Sequence, residues 1–102
     1  MADGDVLVDV ERELADGTRV TVFAVQNAAY PGGVNYRFAH YDPDSGSGIL
    51  RFDNSRVPRH GAGVHHRHEW CEGDEHVTAI EFDDLETHLS RFYHEVRDDG
   101  TR

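Results

Sequence analysis

Lysine is absent from this chain. All ten of its basic side chains are arginine, against 20 acidic residues and a formal net charge of −10. A single cysteine, Cys71, excludes an intrachain disulfide and a four-cysteine zinc site. No apolar run approaches the roughly 18 residues of a membrane helix. No signal-like apolar segment follows Met1 either, so a soluble, cytoplasmic protein is expected. At 102 residues the chain has room for one modest core and not two, and residues 1–102 are read as a single domain.

Acidity without lysine fits a protein from a halophile, archaeal-like in character. Carboxylates keep a surface hydrated in molar salt, and strong screening removes the self-repulsion of a large net charge. A GC-rich genome alone would favour arginine over lysine, but it would not explain the acidity. At molar salt the Debye length falls to about 3 Å, so only local charge counts. Net charge therefore does not exclude a nucleic-acid substrate.

What the chain does have is histidine in one place. His60, His65, His66 and His68 fall within nine positions of a Gly/Pro-punctuated stretch, with Asp53 and Asn54 just upstream and Arg51, Arg56, Arg59 and Arg67 around them. Histidine titrates near neutrality, which suits proton transfer or binding of a transition metal.

Hydropathy patterning supplies the frame. Asp5 to Leu14 alternates as a half-buried strand, Ala15-Asp16-Gly17-Thr18 is a turn, and Arg19 to Gln26 is the partner strand of a hairpin. Pro31-Gly32-Gly33 breaks the chain. Val34 to Tyr41 is a third strand, residues 42–48 a loop, and Ile49 to Asp53 a short fourth strand that ends on Asp53 and Asn54. Glu69 to Glu72 and His76 to Phe82 form a second hairpin across Gly73-Asp74. Asp83 with Glu86 reads as a capping box, and Leu85, Leu89, Phe92, Tyr93 and Val96 mark an amphipathic helix ending before Asp98. The expected fold is α+β: an antiparallel sheet of about five to six strands with the C-terminal helix packed on one face.

Two chemistries suit the histidine-rich segment. On a strand, His66 and His68 project to one face and His65 and Arg67 to the other. An i, i+2 imidazole pair can share zinc or another transition metal, with His60 or Asp53 as further ligands. The same residue types also suit metal-free phosphodiester cleavage, in which one imidazole takes the 2′-hydroxyl proton, a second protonates the leaving oxygen and an arginine offsets phosphorane charge. The bland alternative is a solvated loop with incidental histidines. Elsewhere, Trp70 reads as core or sheet cover and Cys71 as a small buried residue. His88 and His94 read as solvent-facing, and His40 and His76 as strand residues with no evident partner.

At Phe52-Asp53-Asn54 and His65-His66-Arg67-His68, with Phe82-Asp83-Asp84-Leu85-Glu86 where a helix begins, the chain resembles the TumE-like family of toxin components from toxin–antitoxin operons. The likeness runs over residues 34–97. Val64 stands where the family has proline, Arg67 where it has lysine, and Ser55-Arg56-Val57-Pro58-Arg59 replaces residues that often include histidine there. The resemblance implies an RNA-directed toxin neutralised by a co-encoded antitoxin.

Together these readings lead to an expected ribonuclease-like toxin without a tightly bound cofactor. His65, His66 and His68 would transfer protons, with His60 a further candidate. Arg51 and Arg67 would sit on phosphate, and Asp53 and Asn54 would orient an imidazole. The alternative is a non-catalytic binding module: either a transition-metal binder using His66, His68 and His60, or a regulatory partner protein, including an inert member of a toxin–antitoxin pair. RNA and the antitoxin are the expected partners and a membrane is not; self-association into a homo-oligomer is left open.

Overall fold

The computed structural model describes residues 4–54 and 65–100. Six strands lie side by side in sequence order in one antiparallel sheet: β1 (Val6–Glu13), β2 (Arg19–Gln26), β3 (Val34–Tyr41), β4 (Gly48–Asp53), β5 (His66–Cys71) and β6 (Asp74–Ala79). One helix, α1 (Leu85–Gly100), closes the chain. The expected α+β architecture is the one observed.

Each turn is made by local chemistry. Between β1 and β2, Asp16 Oδ1 accepts from the Thr18 amide at 2.9 Å while Leu14 N donates to Thr18 O at 2.8 Å. The β5–β6 connection turns on Glu72 and Gly73, both at positive φ (53° and 86°), the signature of a type I′ hairpin. This corrects the expected turn at Gly73-Asp74. At its other end β5 starts at His66, where Asp53 of β4 pairs with it, rather than at Glu69 as expected, and this puts His66 and His68 on a strand.

Alternation along the strands sorts the side chains onto two faces. Val20, Val22 and Ala24 of β2, Tyr36 and Phe38 of β3, and Leu50 and Phe52 of β4 are buried beneath the helix, where Phe92 meets Phe38 and Phe52 at ring-centroid distances of 5.6 and 5.3 Å. Asp84, one residue after the expected cap, is the residue that caps α1: the Thr87 amide donates to its Oδ1 at 2.7 Å. The helix also continues past Asp98 to Gly100.

His88 departs from expectation most. It is fully buried rather than solvent-facing, because 88, 92 and 96 share one helical face and all three pack inward. Its ring lies against Tyr36, Phe38, Phe52 and Phe82 at 5.0–5.8 Å. His40, also buried on this face, is not partnerless: its Nε2 is 2.9 Å from Thr18 Oγ1.

Burial, aided by the nearby charge of Arg91, pushes the His88 pKa down to about 4. In the unfolded chain it titrates near 6.5. Between those values the unfolded state binds more protons, so the stability His88 contributes is present above pH 6.5 and is lost as pH falls toward 4. The melting temperature of the wild type is therefore expected to fall more steeply across this window than that of His88→Leu. Parallel profiles would refute the assignment.

Candidate active site

The β4–β5 register decides which residues share a face. Arg51 lies opposite His68 and Asp53 opposite His66. All four project from the sheet face away from α1, which among the described elements is covered by no helix or strand. His66, His68 and Asp53 are nonetheless buried, at 1, 2 and 4 % exposure.

Asp53 is the hub. Its Oδ2 pairs with Arg51 Nε at 2.8 Å and lies 3.4 Å from His68 Nε2, while its Oδ1 is 3.5 Å from His66 Nδ1. The two rings are nearly perpendicular, their centroids 6.0 Å apart. On its far side His68 Nδ1 meets Glu75 Oε2 of β6 at 3.2 Å, and Arg51 Nη2 lies 3.4 Å from both ring nitrogens of His68. Burial and the Arg51 charge lower the His68 pKa, outweighing the opposing pull of Asp53 and Glu75. His68 is therefore mostly neutral at pH 7, a proton acceptor held between two carboxylates.

Other sequence candidates lie on the opposite face. His65 stacks on Phe82 at 4.8 Å, and its Nδ1 sits 3.0 Å from the Tyr36 hydroxyl. Burial lowers its pKa, as does the neighbouring His66. Arg67 is tied to Glu95 of α1 at 2.6 Å and to Glu69 at 2.8 Å. Asn54 is buried and binds backbone: its Oδ1 accepts from Tyr36 N at 3.2 Å, and its Nδ2 donates to Val34 O at 2.6 Å. His60 lies outside the described residues.

Glu75 was not singled out from sequence. Its place against His68 follows only once the hairpin turns at Glu72-Gly73 and sets Trp70 opposite Glu75. Cys71 is exposed rather than buried. Desolvation and the Glu69 carboxylate, 3.5 Å from its sulfur, raise its pKa, the reverse of what an activated thiol needs.

Asp53, His66 and His68 each offer a ligand atom, all within 4.8 Å of one another, a donor set that suits zinc or another first-row ion. The Arg51 guanidinium, bound to the same carboxylate, competes with a cation for it.

A protein-family model described as Toxin TumE matches residues 2–99, nearly the whole chain. The chain belongs to the TumE toxin family. Membership makes it a toxin of a toxin–antitoxin system and implies an antitoxin partner. No curated protein and no solved structure matches the chain. No helix among the described residues is long and apolar enough to cross a membrane.

Asn54 follows the hub directly, and its two bonds hold the end of β4 against the start of β3. Asn54→Ala leaves a buried amide and a buried carbonyl unmatched, each costing about 1–3 kcal/mol. Its unfolding free energy is expected to fall by about 2–4 kcal/mol in a denaturant titration. A loss below about 0.5 kcal/mol, typical of a surface change, would remove this structural role.

Proposed function

We propose that this TumE-family toxin cleaves RNA without a metal, using His66 and His68 on the sheet face away from α1. One observation carries the reading: two imidazoles two residues apart on β5 both reach the buried carboxylate of Asp53, which is itself paired with Arg51. The set holds a base, a second proton carrier, an orienting anion and a cation for phosphate. Those are the parts that transesterification of an RNA backbone requires.

The roles follow from placement. Neutral His68 takes the proton from a ribose 2′-hydroxyl, whose oxygen attacks the adjacent phosphorus. The bond from phosphorus to the 5′ oxygen breaks, a 2′,3′-cyclic phosphate forms, and His66 delivers a proton to the leaving oxygen. Arg51 offsets the charge that builds on the phosphorane, and Asp53 fixes both rings. Glu75, a half-exposed carboxylate on His68, occupies the position from which an incoming phosphate would displace it. His65, Arg67 and Asn54 are assigned to the fold rather than to this chemistry, since each is engaged on the helix side.

The test is cleavage of single-stranded RNA by the purified chain in molar KCl, the condition that its acidic, lysine-free surface favours. Activity is expected to persist in EDTA and to fall at least about 100-fold in His66→Ala and in His68→Ala. The rate should decline as pH drops below 6.5, because protonation removes the His68 base. Glu75→Gln, which removes a carboxylate that favours the imidazolium, should move that decline to lower pH. Unchanged activity in either histidine variant would end the assignment.

The ligand geometry of Asp53, His66 and His68 favours a second reading, a non-catalytic transition-metal site. Stoichiometric zinc retained after dialysis by the wild type and lost in Asp53→Asn, with no RNA cleavage by either, would decide for it.

A further inference from the structure

We infer that the sheet face away from α1, beside the buried Asp53 and His68, is a platform for single-stranded RNA, with a groove between Arg37, Arg51, Tyr41 and Trp70 that takes one nucleotide. The inference deepens the ribonuclease reading, and rests on it for the choice of RNA, by naming the conformation of the substrate and the residues that hold it.

The first observation is electrostatic. On a chain of net charge −10, Arg19, Arg51, Arg67 and Arg91 are each paired with a carboxylate. Arg12, Arg37 and Arg97 are exposed with no acid paired to them among the described residues, and of the three it is Arg37 that stands on this face. It lies directly opposite Asp53 in the β3–β4 register, so its charge sits one strand away from the proposed chemistry. A cation left unneutralised beside a buried catalytic set is suited to a phosphate.

The second observation is aromatic. A cavity of about 340 Å³ opens on this face between Arg37, Ala39, Tyr41, Gly48, Arg51 and Trp70. That is the lower end of the roughly 300–1,000 Å³ of small-ligand sites, room for one nucleotide and not for a duplex. Trp70 lies directly on the backbone of Gly48: a Cβ there would come within 2.9 Å of its ring. The Arg51 guanidinium carbon is 5.6 Å from the Trp70 ring centroid. Phosphate-binding cation and base-stacking wall are thus joined. Phe23, 42 % exposed and directly opposite Arg37, extends the aromatic surface on the side away from Asp53.

Exposed Phe23 and half-buried Tyr41 and Trp70, interleaved with arginine on a sheet, suit unstacked bases. In a duplex the same bases are stacked on each other and unavailable.

Binding is separable from cleavage with a short fluorescent 2′-O-methyl oligoribonucleotide, which lacks the attacking hydroxyl. Its anisotropy would be followed in the salt at which circular dichroism shows each variant folded. Wild type is expected to bind the single strand at least roughly tenfold tighter than a duplex of the same sequence. Arg37→Ala should weaken binding roughly tenfold, and Trp70→Ala by about fivefold or more, while Trp70→Phe stays within about twofold. Absence of binding by the wild type, equal affinity for the duplex, or wild-type binding by both alanine variants would overturn the inference. Tight, Arg37-dependent binding with no cleavage of unmodified RNA would uphold the platform and remove the ribonuclease reading.

Discussion

Everything distinctive about this molecule depends on the register between β4 and β5. With Asp53 opposite His66 and Arg51 opposite His68, the period of two sends acid, base and cation to one face and their sequence neighbours to the other. A slip of one residue would invert the sorting, placing His65 and Arg67 on the open face and burying His66 and His68 against the helix. The register is held from both sides. Phe52 is locked into the core under Phe92, and Arg67 is anchored to Glu95 on α1. The helix therefore specifies the site without touching it.

The helix side carries its own polar residues, some held by hydrogen bonds and His88 by aromatic packing alone, with neither ring nitrogen bonded. Asn54 satisfies two backbone groups at the point where β4 ends. Tyr36, whose pKa is raised by burial, keeps its proton and meets His65. His88 sits among aromatic rings as a flat, polarisable filler that loses its value once protonated. Such residues resemble catalytic histidines and tyrosines in composition. Their surroundings differ in charge: on the helix side aromatic rings press on His65 and His88, whereas on the other face His68 meets carboxylates and a guanidinium as well as the Trp70 ring.

Much of this was legible in the sequence, for identifiable reasons. Clean alternation in Val6–Val10 and Val20–Ala24 and the stripe through Leu85, Phe92 and Val96 reported a sheet and a helix, because amphipathic elements must hide one face. Phe52-Asp53-Asn54 and the His65–His68 run marked the family, while leaving open whether the cluster lies on a strand or a loop. Not legible was where β5 begins, since that is set across strands by the pairing of Asp53 with His66, nor where it ends, since Glu72 adopts positive φ without being glycine or asparagine and the turn read one residue late. The burial of His88 was missed because polarity was weighed above its place in the 88, 92, 96 row. Glu75 and Arg37 had no local signal at all; their relation to Asp53 and His68 exists only across strands.

The charge distribution gains its meaning from this division of faces. A chain with twice as many acids as bases repels a polyanion at long range, yet screening at molar salt shortens that repulsion to about 3 Å. What remains is contact chemistry. Under those conditions an exposed arginine is effective only where a second, unscreened interaction holds the ligand against it, and stacking on an aromatic ring is such an interaction. On the proposed reading, exposed Arg37 beside Phe23 and half-buried Arg51 over Trp70 are pairs of that kind.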